Sequence, residues 1–313
     1  MNKYAYGIDV GGTAIKYGFF DNNGVMIRKW QTPTNVEDNG TYILNEISNE
    51  LSLDMKKNNV KKDEIAGAGL GIPGPVNKNG IVQEAVNLGW KMIDAQNILQ
   101  NLIGIKVKIC NDANAASLGE NWMGAGKGCK DMIMVTLGTG IGGGIICNGK
   151  IVNGTKGYAG EIGHIHINDF ETDKCGCGNT GCFEQYASAT GLMKIYQKVT
   201  HEYGIKMDNA QKESCETVFK KASSDVCAQK ALEIWGEYLG KGLSIIVNIL
   251  NPECIVIGGG VSKAGSIILD LLEPSFTKNV LIDLHDTSIK LATLGNDAGI
   301  YGAARNILKD REA

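Results

Sequence analysis

The sequence predicts an α/β protein, and three observations lead to this fold class. Short apolar segments rich in valine and isoleucine alternate with longer segments whose apolar residues recur at helical spacing. Glycine-rich turns follow several of the short segments, and the chain contains 42 glycines against five prolines. A group made of a strand, a glycine turn and a hairpin occurs twice. Strands that alternate with helices are typical of α/β architectures, whose ligand loops follow the carboxyl ends of strands.

The first half of the chain opens with three predicted strands. They cover Tyr4–Asp9, Ala14–Phe20 and Val25–Gln31, and Asp21–Gly24 forms a hairpin turn between the last two. The elements predicted next are a helix around 43–51, a strand at 65–70 followed by a rigid loop at 71–75, a strand at 106–110 and a helix at 113–123.

The second half repeats this plan. The predicted elements are strands at 132–137, 142–147 and 150–152, helices at 187–203, 214–222 and 226–250, a strand at 254–257, a helix after Lys263, a strand at 289–293 and a helix at 298–308. The turns at Asp9–Thr13 and Leu137–Gly140 correspond, which indicates a duplication with two glycine turns facing each other across a cleft. We expect a small lobe of residues 1–117 plus 298–313, and a large lobe of residues 118–297.

The composition excludes several classes of protein. A net charge of −3 gives no support to nucleic-acid binding, and no apolar run approaches the ~20 residues that span a bilayer. The first ten residues lack the apolar core of a signal peptide. Nine cysteines, an odd number with three close together, indicate a reducing cytoplasm and not a disulfide framework.

The three close cysteines predict a metal site. Cys175, Cys177 and Cys182 are separated by glycines that let the chain wrap around an ion, and thiolates beside an imidazole suit tetrahedral zinc. His164 is the preferred fourth ligand, whereas His166 is expected in a strand. Four protein ligands leave no open position, so the zinc would be structural. The alternative is a set of buried free cysteines beside a surface histidine.

Three glycine turns predict contacts with phosphate groups. They are Gly11–Thr13, Gly138–Gly144 and Gly258–Gly260, each after an apolar strand. Exposed backbone N–H groups in such turns bind phosphate oxygens, and Asp9 is placed to hold a hydrated Mg²⁺. A single glycine turn between strands needs no ligand, but three such turns, each after an apolar strand, favour a phosphate-binding role. No Walker-type phosphate loop is present.

Asp112 is the candidate catalytic base. It follows Asn111 at the end of a predicted strand, where a carboxylate can face a ligand. Phosphoryl transfer to an alcohol needs a base near the hydroxyl, and a carboxylate would accept the proton late in the reaction. The alternative is that Asp112 caps the helix that starts at Ala113.

Together these motifs resemble the ROK family of sugar kinases and related repressors. The resemblance covers essentially the whole chain and rests on Asp9-x-Gly-Gly-Thr13, Asn111-Asp-Ala-Asn114, Gly138-Thr-Gly-x-Gly-Gly-Gly144, Glu161-x-Gly-His164 and Cys175-x-Cys-Gly-x-x-Gly-Cys182-x-Glu184. It implies the actin-like, hexokinase-like (ribonuclease H-like) duplicated fold, with two lobes and a central cleft.

The resemblance also implies roles for individual residues. Asp112 would be the base at the sugar 6-hydroxyl, and His164 would serve both zinc and sugar. The residues implied in sugar binding are Gly74, Asn87, Asn111, Asp112, Glu161, His164 and Glu184. Those implied in ATP binding are Asp9, Gly11, Gly12, Thr13, Lys16, Gly138, Thr139, Gly140, Gly142, Gly258, Gly259 and Gly260.

The leading hypothesis is therefore an ATP-dependent hexose kinase, a glucokinase, that uses Mg²⁺ and a structural Zn²⁺. Val86–Trp90 is similar to a segment that reaches the sugar in ROK glucokinases, which favours glucose over N-acetylmannosamine, fructose or allose. A sugar-sensing repressor is the alternative from another class. It would carry a DNA-binding winged helix before the first turn, and only eight residues precede Asp9. A cytoplasmic homodimer is what the resemblance implies.

Overall fold

The computed structural model describes residues 3–205 and 213–308, so residues 309–313 of the predicted small lobe lie outside the described residues. The strands are β1 (Tyr4–Val10), β2 (Ala14–Asp21), β3 (Met26–Pro33), β4 (Ile65–Ile72), β5 (Val82–Ala85), β6 (Trp90–Ile93), β7 (Val107–Asn111), β8 (Met132–Leu137), β9 (Ile141–Cys147), β10 (Lys150–Ile151), β11 (Cys254–Gly258) and β12 (Ser288–Leu291). The helices are α1 (Glu37–Gly40), α2 (Ile43–Lys57), α3 (Ala95–Ile103), α4 (Asp112–Met123), α5 (Glu184–Ala187), α6 (Ala189–Glu202), α7 (Cys215–Lys221), α8 (Val226–Leu250), α9 (Ile267–Asn279) and α10 (Ala298–Leu308).

Two five-stranded sheets share one strand plan. Their orders are β3-β2-β1-β4-β7 and β10-β9-β8-β11-β12, which correspond strand for strand. In the first sheet β2 is antiparallel to β1 and β3, while β4 is parallel to β1 and β7. In the second sheet β11 is parallel to β8 and β12. The predicted α/β class and the predicted repeat are both confirmed.

Contacts within the chain define two compact units. The first contains Met1–Lys130, Gly144–Gly160 and Thr293–Ala313, and the second contains Asp131–Gly143 and Glu161–Ala292. Each unit has its own set of buried apolar residues.

The core of the first unit forms on both faces of its sheet. All eight residues of β4 are buried, as expected for a central parallel strand. On one face α2 packs its apolar stripe, which includes Ile43, Ile47 and Leu51. On the other face α10 lies directly on the strands, because a Cβ atom on Gly69 would come within 1.7 Å of the Ala303 carbonyl oxygen. Glycine is therefore required where helix and sheet backbones touch.

Helices α4 and α10 also meet backbone to backbone. A Cβ on Gly302 would lie 1.5 Å from the Ala115 oxygen, and a Cβ on Gly119 would lie 2.2 Å from the Ala298 oxygen. Removing both side chains brings the helix axes together, as in other glycine-mediated helix contacts. This contact fixes α4, and with it the residue at its amino terminus, Asp112.

The second unit is built around the 25-residue helix α8. Trp235 on α8 is fully buried, and its indole Nε1 donates a hydrogen bond of 3.2 Å to the Ser188 carbonyl oxygen. Helix α9 packs closely on α8 at Gly236, where a Cβ would come within 2.4 Å of the Leu271 oxygen. The strand β11 is buried along its whole length.

Three local elements differ from the sequence-based expectations. Helix α3 and the hairpin β5–β6 were not predicted, because nine- and four-residue elements carry too little periodic signal. The helix predicted over 187–203 corresponds to α6, and the short helix α5 that precedes it was not predicted. Ser188 between them is extended, with φ −86° and ψ 174°, and its hydroxyl accepts a hydrogen bond from Gly191 N–H as the cap of α6.

Among the helices of residues 3–205 and 213–308, none combines the length and the apolar character that a bilayer-spanning segment needs.

Candidate active site

The carboxyl edge of the first sheet gathers the polar residues of the first unit. Asp9 on β1 pairs in register with Gly71 on β4, and Ile72 on β4 pairs with Asn111 on β7. A Cβ atom on Gly71 would lie 3.9 Å from Asp9 Oδ1 and 3.7 Å from Asp112 Cα. Asp9 and Asp112 therefore flank the same glycine, at the edge where parallel sheets bind ligands.

Asn111, and not Asp112, caps helix α4. The helix begins at Asp112, and Asn111 Oδ1 accepts hydrogen bonds from the N–H groups of Ala113 (2.9 Å) and Asn114 (3.1 Å). The alternative reading of Asp112 as the cap of a helix starting at Ala113 is therefore wrong by one residue. The reason is that only a side chain before the first helical residue has the extended backbone that a cap requires.

The Asp112 carboxylate is oriented through one of its oxygens. Oδ1 accepts hydrogen bonds from Ala113 N–H (2.8 Å) and from Asn111 Nδ2 (2.9 Å), so both bonds reach the same atom. Asn111 Nδ2 also donates to the Gly74 carbonyl oxygen at 3.2 Å. Asn111 thus holds the carboxylate, the helix end and the Gly74 loop in one arrangement.

Electrostatics favour Asp112 as a proton acceptor. Burial raises the pKa of Asp112, and the negative charge of Asp9 raises it further, while the hydrogen bonds from Ala113 and Asn111 oppose the shift. Asp112 is still accessible to solvent, although many protein atoms lie near its carboxylate. A carboxylate with a raised pKa is a stronger base, which is what proton abstraction from a hydroxyl requires.

The first glycine turn lies beside these carboxylates. Gly11 N–H donates to the Ala14 oxygen (3.0 Å), and the Thr34 hydroxyl donates to the Gly11 oxygen (2.6 Å). Gly12 and Thr13 are exposed. These bonds hold the turn while leaving the next backbone N–H groups accessible to an anion.

Two further predicted residues lie at this turn or next to it. A Cβ on Gly12 would lie 3.3 Å from Asn87 Cβ, so Asn87 is adjacent to the turn. Lys16 Nζ lies 3.6 Å from Asp9 Oδ2 and donates to the Asn296 carbonyl oxygen at 3.1 Å. Burial raises the pKa of Asp9, and Lys16 opposes this effect. Asp9 and Lys16 thus form a partly buried ion pair at the end of β1.

The predicted zinc ligands of the second unit converge. The ligand atoms of His164, Cys175, Cys177 and Cys182 lie within 4.8 Å of one another. Cys175 Sγ is 3.6 Å from His164 Nδ1, and Cys177 Sγ is 3.6 Å from Cys182 Sγ. Zn–S and Zn–N bonds at tetrahedral angles predict separations of about 3.6 to 3.8 Å. The donor set therefore fits zinc, and these two separations match tetrahedral coordination.

His166 is not part of this cluster. Its Nδ1 lies 2.8 Å from the Thr180 carbonyl oxygen and its Nε2 lies 2.8 Å from Asp169 Oδ1, so both ring nitrogens have other partners. Its backbone forms an isolated β-bridge with Cys182, in line with the expected strand-like position.

Without a cation the thiol of Cys175 is a weak acid. Burial raises the pKa of Cys175 to about 12, and the hydrogen bond to the Glu184 carboxylate, with Sγ–Oε1 at 3.0 Å, acts in the same direction. A metal ligand must be a thiolate, so zinc binding would release protons and replace the thiol–carboxylate hydrogen bond.

Two carboxylates lie on opposite sides of the His164 ring. Glu161 Oε2 is 4.0 Å from Nε2, and Glu184 Oε1 is 3.7 Å from Nδ1. The short 3₁₀ turn Ile162–His164 places Glu161 and His164 on one side of the chain. Because Nδ1 faces the cysteines, Nε2 is the nitrogen that is left for a ligand.

Glu184 also contacts the second glycine turn. Its Oε2 accepts a hydrogen bond from Ile141 N–H at 3.3 Å, and a Cβ on Gly140 would come within 2.4 Å of the same oxygen. The Gly138 oxygen accepts a hydrogen bond from Ala189 N–H (2.8 Å) at the start of α6. One carboxylate therefore connects the turn with the cysteine cluster.

A cavity of about 920 Å³ opens beside the second and third glycine turns. Three of the residues that line it were predicted from the sequence to bind ATP: Gly138, Thr139 and Gly260. Gly259, with φ +86°, packs against the Leu137 oxygen, so the two turns are neighbours. The lining residues that sequence reasoning missed lie mostly on α7 and after β11: Ala189, Ser214, Cys215, Glu216, Phe219, Lys220, Val261, Lys263, Ala264 and Ile267. No motif marks them; only the amphipathic spacing of α7 could have indicated a buried face.

The predicted residues thus form two groups, one in each unit. The group in the first unit is Asp9, Gly11, Gly12, Thr13, Lys16, Gly74, Asn87, Asn111 and Asp112. The group in the second unit is Gly138, Thr139, Gly140, Gly142, Glu161, His164, Cys175, Cys177, Cys182, Glu184, Gly258, Gly259 and Gly260. Gly142 lies within strand β9 and Gly258 is the last residue of strand β11, whereas the other turn glycines of these two groups lie outside the strands.

The chain is similar to known proteins over nearly its whole length. A family model described as "ROK family" matches residues 5–310. A glucokinase of Halalkalibacterium halodurans is 40% identical over 309 residues, which cover 96% of this chain and 94% of that protein. A xylose repressor of Caldicellulosiruptor bescii is 33% identical over 273 residues, 83% of this chain and 68% of the repressor. The crystal structure of a ROK family glucokinase from Streptomyces griseus in complex with glucose and AMPPNP superposes with a TM-score of 0.74, at 30% identity over 96% of this chain and 98% of that one. The matched length, the repeated strand plan and the cysteine cluster together show that this chain belongs to the ROK family.

Proposed function

We propose that this protein is an ATP-dependent hexose kinase that phosphorylates the 6-hydroxyl group, with glucose as its substrate. The observation that carries the proposal is the pair of carboxylates at the ends of β1 and β7, on either side of β4: Asp9 beside a glycine turn and Asp112 with a raised pKa. A hydroxyl acceptor needs a base, and a triphosphate donor needs backbone donors and a cation site. The glucokinase relatives support the same activity.

In the proposed reaction Asp112 accepts the proton of the sugar 6-hydroxyl. The bond from O6 to the γ-phosphorus forms while the bond from that phosphorus to the bridging oxygen breaks, and ADP leaves with that electron pair. The transfer to Asp112 completes late, once O6 is already bonding to phosphorus. Asn111 keeps the carboxylate in place through its hydrogen bond to Oδ1.

The sugar's other hydroxyl groups would be bound by Glu161, His164 and Glu184, together with Asn87, Asn111 and the Gly74 backbone. Carboxylates accept hydrogen bonds from hydroxyl groups, and the outward Nε2 of His164 adds a further partner. Zinc, held by His164 and three cysteines, would supply rigidity and no chemistry, because no coordination position remains open.

ATP would bind through the glycine turns, with its adenosine in the 920 Å³ cavity beside Gly260. Backbone N–H groups of Gly11–Thr13 and Gly138–Gly140 would contact the phosphates, and Lys16 would add a positive charge. Asp9 is the residue that would hold Mg²⁺, which when bound neutralises the charge of the phosphates.

Two alternatives rest on specific observations. The family resemblance leaves N-acetylmannosamine, fructose and allose as alternative substrates, and the structural similarity to a putative N-acetylmannosamine kinase supports the first of them. The similarity to a xylose repressor supports a sugar sensor without catalysis. The retained Asp112 geometry favours the kinase, because a sensor needs hydroxyl recognition but no base.

A coupled assay of ADP release over a panel of hexoses tests the proposal. We expect the highest kcat/KM with glucose. A higher value with another hexose would change the substrate but keep the kinase, and sugar binding without ADP release would support the sensor. We also propose a cytoplasmic homodimer, and light scattering should then give twice the chain mass of 33.5 kDa.

A further inference from the structure

A fully buried carboxylate, Glu120, lies on α4 behind the site. Its side chain is 0% exposed. An ionised carboxylate inside a protein is costly unless several hydrogen bonds or charges compensate it. The proposed sugar and ATP contacts do not use Glu120, so the cost of burying this carboxylate needs another explanation.

Backbone N–H groups compensate this carboxylate. Glu120 Oε1 accepts from Leu294 N–H at 2.7 Å, and Oε2 accepts from Ala125 N–H at 2.8 Å and Thr293 N–H at 3.2 Å. Gly124 leaves room for it, since a Cβ there would lie 2.0 Å from Oε2. Glu120 therefore binds the segment that begins at Thr293, which is distant in sequence.

The segment after Leu294 reaches the ion pair at the end of β1. The Asn296 carbonyl oxygen accepts the hydrogen bond from Lys16 Nζ, which lies 3.6 Å from Asp9 Oδ2. Three residues later, Gly299 packs on the carboxylate itself, because a Cβ there would lie 2.9 Å from Asp9 Cγ. A shift of this segment would move both groups.

We propose that Glu120 is a positioning residue for Asp9 and Lys16. By holding the N–H groups of Thr293 and Leu294, it fixes the carbonyl of Asn296 and the start of α10, which in turn fix the ion pair. This inference rests on the proposed function, in which Asp9 and Lys16 serve the ATP phosphates and Mg²⁺. It predicts a defect in the use of MgATP with little effect on sugar affinity.

The chemistry of the site explains why a carboxylate is needed. Three N–H donors point at two oxygens, and both oxygens must accept. In Glu120→Gln one oxygen becomes an NH₂ group, which would face an N–H donor and lose that hydrogen bond. The shape is preserved, so the variant reports on the hydrogen bonds and not on packing.

The test measures KM for MgATP and for the sugar in Glu120→Gln. We expect KM for MgATP to rise roughly tenfold, equivalent to about 1.4 kcal/mol, while KM for the sugar changes less than about twofold. Asp54→Asn is the matched control, since Asp54 is also hydrogen-bonded, to Tyr6 and Arg28, but away from the site. It should lower Tm and leave KM for MgATP unchanged.

A double-mutant cycle separates positioning from general destabilisation. If Glu120 acts through the ion pair, Glu120→Gln should have little further effect on KM for MgATP in a Lys16→Met background. Additive effects, or equal rises in both KM values, would overturn the proposal. Leu294→Pro is the second variant should Glu120→Gln not fold: φ −81° at Leu294 suits proline, and the change removes the N–H that binds Oε1 together with a half-buried leucine side chain.

Hydrogen exchange distinguishes this inference from the proposed function. Faster amide exchange of residues 293–299 in Glu120→Gln, compared with Asp54→Asn, is expected whether or not the protein is a kinase. Unchanged exchange there would reject the positioning role. A wild-type protein that releases no ADP with any hexose would instead reject the proposed function.

Discussion

Replacing Asp112 with asparagine separates chemistry from structure at this site. Asparagine keeps an Oδ1 acceptor for Ala113 N–H and Asn111 Nδ2, and Asn111 remains the helix cap, so the local structure should persist. The variant loses only the ability to accept a proton. General base catalysis contributes about 10²- to 10⁴-fold, so kcat should fall by that factor. The Kd for glucose should change only a few-fold, because most predicted hydroxyl contacts remain.

The same variant should be more stable at neutral pH. Burial raises the pKa of Asp112 in the folded protein above its unfolded value. The stability associated with such a group is fully present below the unfolded pKa and is lost as pH rises through the folded pKa. Asp112→Asn removes this loss, so its Tm should exceed that of the wild type at pH 7, and the difference should vanish near pH 3.

Coupled ADP release, glucose calorimetry and thermal unfolding measure these three quantities. Asp94→Asn provides the matched control, because Asp94 also lies at a helix start in the first unit, as the cap of α3. Its kcat should remain unchanged. A near-normal kcat in Asp112→Asn would refute the assignment of Asp112 as the base, and a large rise in the glucose Kd would show that the carboxylate mainly binds sugar.

Three further predictions concern the metal and the close contacts. Metal analysis should find about one zinc per chain, and chelation should weaken hexose binding before ATP binding; no zinc in protein purified without chelator would overturn the metal site. Gly140→Ala should displace the Glu184 carboxylate, since the added Cβ would come within 2.4 Å of Oε2, and should raise KM for the sugar with little change in Tm. An unchanged KM would exclude Glu184 from sugar binding. Gly302→Ala should destabilise the fold by about 3 kcal/mol or more, because the new Cβ would overlap the Ala115 oxygen at 1.5 Å; chemical denaturation giving a loss below about 1 kcal/mol would contradict the close helix contact.

The features predictable from sequence are those encoded by neighbouring residues. The cysteine cluster with His164 spans a short stretch whose spacing specifies a tetrahedral site, and the glycine turns follow recognisable strands. The bounds of β8, α8 and α10 agree with the expectation. In each case the signal lies within one element or its flanking turn.

Features that depend on distant contacts were not predictable. Glu120 has the appearance of an ordinary helix residue, and only contacts with Thr293 and Leu294, more than 170 positions away, show that it is buried. The α7 residues that line the cavity were also not predictable, because their role depends on contacts with residues distant in sequence. The predicted start of α4 was wrong by one residue because Asn111 and Asp112 are both good cap residues, and only the backbone geometry decides between them.

The direct contact between α4 and α10 has a consequence for how such a protein can change its substrate. Side chains in a packed interface can be exchanged gradually, but at Gly302 and Gly119 no side chain separates the two helices. Substitutions elsewhere in the core therefore cannot shift α4 gradually relative to α10. Asp112 therefore keeps its position when other core residues change, and under the proposed function a new sugar preference can evolve without moving the proposed base.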